Sequence, residues 1–378
     1  MTTLRLRDPR PPVPTALFSP FTVRNLVLRN RIVMAPMTRE ASADGVPTPE
    51  MAAYYRRRAA NDVGLIITEG TVVDHRAARN RTGVPVFHGT AALAGWSAIV
   101  DAVHAEGGAI MPQLWHVGMD RRSADPPHPG VEPVGPSGID LHGVAGGRPM
   151  TESDIAEVVD AFGRAAADAQ RLGFDGIELH GAHGYLIDQF LWRRTNQRTD
   201  RYGGDAVRRT RLAADVVRAC RRAVSADFPI CFRLSQWKIT DFDARLASTP
   251  AELDLILAEL AGAGVDLFHC STRRFWLPEF DGSPLTFAGW VRKLTGIPTI
   301  AVGSVGLQDS EFLAALLANE GAEVDGLERV VEFLNRGEFD LVAVGRALVS
   351  DPAWARKVRL GHAEELLPFR AEDLARLD

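Results

Sequence analysis

Cysteine is scarce in this chain: Cys220, Cys231 and Cys270 are the three among 378 residues, widely separated, with two in apolar, strand-like runs. That pattern excludes a disulfide framework and fits buried, reduced thiols, as expected of a cytoplasmic protein. No run of 18 apolar residues occurs, which excludes a membrane-spanning helix. Excess positive charge is also missing. The net charge is -5, so nucleic acid is not an expected partner. There is no Gly-x-Gly-x-x-Gly, the fingerprint of an open dinucleotide-binding sheet. No internal repeat and no interdomain linker break the chain. One domain over residues 15–378 is expected, preceded by a flexible leader, residues 1–14, rich in Arg and Pro and without the apolar centre of a secretory signal.

What the sequence does hold is a series of short, continuously apolar runs, the mark of strands covered on both faces. Eight are present, around Arg31–Ala35, Gly64–Thr68, Ala109–Leu114, Gly176–Leu179, Pro229–Leu234, Val265–Cys270, Pro298–Val302 and Leu341–Val344. Amphipathic segments separate them. In one, Ile155, Val158, Val159, Phe162, Ala166 and Ala169 recur at helical spacing behind Thr151, an N-cap residue. Another starts at Pro250 and runs to Gly262. Strands alternating with helices predict a single (β/α)8 TIM barrel, class α/β. A β-hairpin around Asn25 is expected as an N-terminal lid, and the loops Trp115–Met150 and Ser271–Phe287 are expected over the C-terminal face.

In a barrel the residues just past each strand converge on one face. The densest group follows the fourth run, where His180, His183 and Tyr185 stand among Gly181 and Gly184. Two imidazoles and a phenol make an electrophilic pocket with an acid beside it. The alternatives are a metal pair, which lacks an evident third ligand nearby, or ordinary polar loop residues. Gly303-Ser304 after the seventh strand and Gly345-Arg346 after the eighth sit where barrels bind phosphate through backbone N–H groups, and Arg346 adds a bidentate cation. Thr38, Gln113 and Arg233 supply a hydroxyl, an amide and a cation on three further strands. A flavin ring needs those three around its edge, and a buried Arg233 needs an anionic partner. His116 also follows the third strand, and Phe275 and Trp276 form an aromatic pair expected on the substrate side.

The segments His180–Leu186 (His-Gly-Ala-His-Gly-Tyr-Leu), Asp188–Leu191 (Asp-Gln-Phe-Leu) and Asn196–Gly204 (Asn-Gln-Arg-Thr-Asp-Arg-Tyr-Gly-Gly) resemble the signature of the Old Yellow Enzyme family of FMN-dependent ene-reductases. The resemblance extends from Phe18 to about Trp354 through Asn30–Arg39, Thr68–Thr71, Pro112–Gly118, Phe232–Ser235, Val302–Ser304 and Val344–Ala347. It implies non-covalent FMN held by Pro36, Met37, Thr38, Gly70, Gln113, Arg233, Gly303, Ser304, Gly345 and Arg346. It implies NADH or NADPH as hydride donor and an α,β-unsaturated carbonyl or quinone as acceptor. His180 and His183 would hold the carbonyl, with Tyr185 as the acid. Thr38, where one branch has Cys, implies the classical branch or a relative of it. Arg193 and Arg194 replace a usual Pro or Ser-Pro, and Gln236–Phe242 and Ser271–Phe280 depart from the best-known members, so the resemblance is closer on the flavin side. Three scattered cysteines leave no iron–sulfur ligation of the kind larger relatives append. Competing readings are a dehydrogenase or demethylase of the same family, a flavin-binding barrel without turnover, and a flavin-free phosphate-binding aldolase or isomerase, for which no strand-end Lys is evident.

Overall fold

Alternating apolar residues on either side of Asn25 fold as an antiparallel hairpin, β1 (Phe21–Val23) and β2 (Leu26–Leu28), in a computed structural model that describes residues 14–308 and 321–378. The expected leader lies, up to residue 13, outside the described residues. Val23, Leu26 and Leu28 pack against Val33, Met111, Cys231 and Leu267, an inward-facing layer of the barrel. Arg24 Nε pairs with Asp266 Oδ1 at 2.7 Å, and Asn25 N donates to Asp227 O at 3.2 Å. Both acceptors precede strands, so the hairpin is a lid on the N-terminal end of the barrel, opposite the site.

The eight apolar runs form β3 (Ile32–Met34), β4 (Leu65–Val72), β5 (Ala109–Trp115), β8 (Ile177–His183), β9 (Ile230–Lys238), β10 (Leu267–Ser271), β11 (Thr299–Val302) and β12 (Leu341–Val344). All pair in parallel in chain order, and β12 closes on β3 with Val342 opposite Ile32. Their outward residues meet the surrounding helices, which include α1 (Pro49–Ala60), α2 (Thr90–His104), α3 (Glu152–Arg171), α5 (Ala206–Ala223), α6 (Pro250–Ala263) and α7 (Phe287–Thr295). Thr151 caps α3 as expected, its side chain accepting from Asp154 N while Asp154 reaches back to Thr151 N. Gly262 does not end α6. The left-handed cap is Gly264, at φ 113°, two residues on.

The 115–150 loop lies on the C-terminal side, as expected, and has structure of its own. It carries a small parallel pair, β6 (Val134–Gly135) and β7 (Arg148–Pro149). It packs on the short helix α4 (Leu186–Leu191) through Met119 N to Gln189 Oε1 at 3.1 Å. Trp115 is its only residue on the cavity described below. Leu141 packs beside Gly184 and against Trp192 and Ala244, which sets the loop over the C-terminal face at the side of the cavity mouth.

β9 also runs further than its apolar portion, through Ser235, Gln236 and Trp237 to Lys238. Lys238 therefore is a strand-end lysine, but its Nζ is enclosed and donates to Asp188 Oδ1 at 2.9 Å and Ser235 O at 3.3 Å. It does not face the cavity, so the Schiff-base reading has no lysine there. Removing one member of a fully buried ion pair strands the other charge. Lys238→Met is expected to cost ~3–5 kcal/mol, read as a lower denaturant midpoint at unchanged slope; a loss under ~1 kcal/mol would show that Asp188 does not need its partner.

Candidate active site

At the C-terminal ends of the strands lies a cavity of about 370 Å³. β3 leads into it through Pro36, Met37 and Thr38, β4 contributes Gly70, and β5 contributes Gln113 and Trp115. From β8 and the turn after it come His180, His183 and Tyr185, and from β9 Arg233 and Trp237. Gly303 and Ser304 follow β11, and Gly345 and Arg346 follow β12. All ten residues expected at a flavin and all three expected at the carbonyl thus share one cavity.

Local backbone chemistry explains the histidine pair. His180 sits on the inward side of β8, while His183 adopts φ 66° and Gly184 φ 91°, a left-handed step that swings the chain into α4. At Gly181 a Cβ would come within 2.3 Å of the Phe232 ring, so no other residue fits. The two imidazoles stand with centroids 5.1 Å apart, nearly perpendicular, and the Tyr185 ring lies 4.9 Å from His180 and 4.8 Å from Trp115.

Hydrogen bonds orient the rings. His180 Nδ1 accepts from Ala182 N at 3.4 Å, which leaves Nε2 as the proton-bearing donor of a neutral imidazole. His183 Nε2 meets Ser271 Oγ at 2.8 Å, and Arg233 Nη2 donates to the same hydroxyl at 3.3 Å. Burial, then the charge of Arg233, lower the His180 pKa to about 3, and the same two causes hold His183 well below the usual imidazole range. Burial pushes the Tyr185 phenol up. Both histidines are therefore neutral hydrogen-bonding groups at working pH, and Tyr185 holds its proton.

Arg233 is 7% exposed, and its Nε is enclosed without a hydrogen-bond partner. An orphaned guanidinium N–H beside the cavity is the observation that an anionic or strongly accepting ring edge would satisfy, so the residues present fit FMN. At the other end, Arg346 Nη2 reaches Ser304 Oγ at 3.3 Å, and burial lowers the Arg346 pKa to about 10. A phosphate between the two glycine turns would offset that desolvation. Leu374 closes this end, in a turn whose carbonyls, at Asp373 and Leu374, accept from Arg39 Nη2 at 3.0 and 3.1 Å.

Three expected residues lie elsewhere. His116 is 1% exposed, with Nε2 on His75 Nδ1 at 2.8 Å and Nδ1 accepting from Gly118 N at 3.0 Å; both nitrogens are occupied within the wall. Phe275 is 2% exposed and packs on Phe333 and Phe339, at centroid distances of 5.9 and 6.0 Å. Trp276 lies under the Arg329 guanidinium. Besides Trp115 and Tyr185, the aromatics facing the cavity are Trp237, 4.5 Å from the His183 ring, and Phe242. Trp237→Ala is expected to reorder the preference among acceptor substrates while the bound-flavin spectrum stays unchanged. Trp276→Ala should leave the order as it was, and the reverse pattern of relative kcat/KM values would restore the earlier expectation.

Two residues that the sequence reading passed over complete the arrangement. Gln113 Nε2 donates to Glu178 Oε1 at 2.7 Å, and Glu178 Oε2 meets His269 Nδ1 at 2.6 Å. A Glu and a His at inward positions of apolar strands were visible signals, by the reasoning that singled out Arg233. Among the described residues, no three His, Cys, Asp or Glu side chains gather as a metal site.

A barrel with this strand-end cavity is the architecture of a flavin oxidoreductase, and the comparisons agree. The NADH:flavin oxidoreductase / NADH oxidase family matches residues 16–365. The chain is 36% identical to an NADH oxidase of Thermoanaerobacter brockii over 93% of its own length and 52% of that protein's. It is 35% identical to 12-oxophytodienoate reductase 7 of Oryza sativa subsp. japonica over 91% of its length and 88% of the reductase. The solved structure of morphinone reductase superposes with a TM-score of 0.76 at 30% identity, covering 91% of this chain and 89% of that one. The chain spans about half of the NADH oxidase and most of the two reductases. It belongs to the NADH:flavin oxidoreductase family, the Old Yellow Enzyme family of the resemblance, whose members bind FMN and draw on NADH or NADPH.

Proposed function

We propose that this protein is an ene-reductase, which reduces the activated C=C bond of α,β-unsaturated carbonyl compounds or quinones with electrons from NADH or NADPH. The observation that carries this is the juxtaposition of a neutral His180 with its Nε2–H free to donate, a neutral His183, and a protonated Tyr185 in one cavity with Arg233. Supporting it, two relatives are named as reductases of 12-oxophytodienoate and morphinone.

FMN, when bound, supplies two-electron storage between the nicotinamide and the acceptor. Pro36, Met37, Thr38, Gly70 and Gln113 would line its ring, Arg233 would face its electron-rich edge, and Gly303, Ser304, Gly345 and Arg346 would hold its phosphate. The protein's own groups do the rest. His180 and His183 donate to the substrate's carbonyl oxygen and draw charge toward it, which makes the β-carbon electrophilic. Tyr185 gives its proton to the α-carbon. Its high pKa does not prevent this, because the acceptor carbon is strongly basic once charge has moved onto it. Trp237 and Phe242 hold the substrate's apolar part and keep water out. A location in the reducing cytoplasm belongs to the same proposal, and three buried free thiols support it.

A phenol is the direct probe of the oxygen site, since its phenolate carries the charge that the two imidazoles are arranged to receive. Titration of the flavin-loaded protein is expected to produce a long-wavelength charge-transfer band, strongly weakened in His180→Ala. Full flavin occupancy without such a band would overturn the assignment of the histidine pair.

A further inference from the structure

Just behind the cavity wall, inward-facing side chains of neighbouring strands form an enclosed polar layer. The strand register sets Gln113 of β5 beside Glu178 of β8, Glu178 beside Cys231 of β9, and Arg233 of β9 beside His269 of β10. Glu178 and His269 are both 0% exposed and do not reach the cavity, whereas Gln113 and Arg233 do. A carboxylate in that position is costly to bury, and the reaction as proposed does not use it.

We infer that Glu178 and His269 are positioning residues that lock the Gln113 amide with its oxygen toward the cavity, so that the site selects a ring edge presenting an N–H. The inference rests on the assignment of Gln113 to the flavin. A carboxylate only accepts hydrogen bonds, so the amide end facing Glu178 at 2.7 Å must be the NH2. The carbonyl oxygen is left on the other side. Gln113 Oε1 lies 3.4 Å from where a Cβ on Gly70 would stand, and Gly70 is in the cavity wall. Connectivity thus decides an amide orientation that geometry by itself leaves open.

His269 keeps the lock set. Its Nδ1 faces Glu178 Oε2 at 2.6 Å, while its Nε2 is enclosed with no partner. An imidazolium would bury an unpaired N–H there, so the ring is neutral and donates through Nδ1. Cys231 Sγ adds a weak donor to the same oxygen at 3.5 Å. Hydrogen bonds from His269 and Gln113 and the charge of Arg233 oppose the burial that would protonate Glu178. Glu178 therefore stays an acceptor, and Gln113 has one orientation.

Glu178→Gln tests this at nearly constant volume. Its amide can donate to Gln113 Oε1, which frees Gln113 to turn its NH2 toward the cavity. The readouts are the FMN dissociation constant and the N–H resonance of FMN labelled with 15N at its imide nitrogen. In the wild-type protein that resonance is expected downfield and slow to exchange. In Glu178→Gln it should move upfield and exchange faster, and the dissociation constant should rise about tenfold, the size of one lost hydrogen bond. His269→Leu, which keeps the barrel interior apolar while removing the Nδ1 donor, should displace the resonance in the same direction and covers the case in which Glu178→Gln does not fold. Gln113→Leu separates the two levels. If it leaves affinity and resonance unchanged, Gln113 is not at the flavin and both readings fail. If it shifts the resonance while Glu178→Gln and His269→Leu do not, Gln113 stands and the positioning role is overturned.

Discussion

Replacing either imidazole of the His180 and His183 pair with Ala is expected to slow reoxidation of the reduced protein by an enone roughly 10²–10³-fold. The donor removed is one whose hydrogen bond strengthens as negative charge builds on the carbonyl oxygen, so the loss falls on the rate rather than on substrate binding alone. Reduction by the nicotinamide should be much less affected, because that step develops no charge on a substrate oxygen. The two variants should differ in one respect. His183 is braced by Ser271, which Arg233 also contacts, so His183→Ala should disturb the flavin spectrum more than His180→Ala. A His180 pKa near 3 adds a pH signature: the reoxidation rate should show no imidazole titration between about pH 5 and 8. Stopped-flow traces of the two half-reactions across that range check both points. A rate that rises with protonation near an ordinary histidine pKa would mean that an imidazolium does the work.

Tyr185→Phe carries the second large effect. The phenol ring packs against His180 and Trp115, and Phe keeps those contacts, so the cavity should hold its shape. What disappears is the proton for the α-carbon, and general-acid help of this kind is worth ~10²–10⁴ in rate. Enone reduction should fall by that order while phenol binding and nicotinamide oxidation survive. Quinones need no proton at carbon and should react almost normally. If quinone and enone slow equally, Tyr185 positions substrate and is not the acid.

The barrel was legible because doubly covered parallel strands must be continuously apolar, and only alternation with amphipathic helices explains eight such runs. Legibility failed where a strand carries polar residues for a reason in three dimensions. β9 continues through Ser235, Gln236 and Lys238 because Lys238 finds Asp188 and Gln236 finds backbone partners at Leu246 and Ala247. Nothing in the local sequence announces those partners. Site residues expected on strands do face the cavity, since strand alternation settles which side chains point inward. Of those beyond the strand ends, Pro36, Thr38, Tyr185, Ser304 and Arg346 reach the cavity as expected, but His116, Phe275 and Trp276 do not. Phe275 and Trp276 follow β10 as expected, yet the loop turns them toward Phe333 and Arg329, and the cavity takes Thr272 and Arg273 from the same segment. His116 shows the same failure one residue past β5, where the turn aims the ring at His75. Glu178 and His269 are a different case. Both were visible as polar residues in apolar strands, but their meaning comes from cross-strand register, which one strand by itself does not reveal.

The central claim is that the acceptor of the electrons is an activated C=C bond. The most direct test mixes the flavin-loaded protein, reduced anaerobically with one equivalent of NADH or NADPH, with 2-cyclohexenone. The account predicts that the oxidised flavin spectrum returns and that one equivalent of cyclohexanone forms for each flavin reoxidised. A reduced spectrum that persists with this and other enones, in a protein whose oxidised flavin is instead bleached by an amine or alcohol, would contradict it and make the protein a dehydrogenase of the same family.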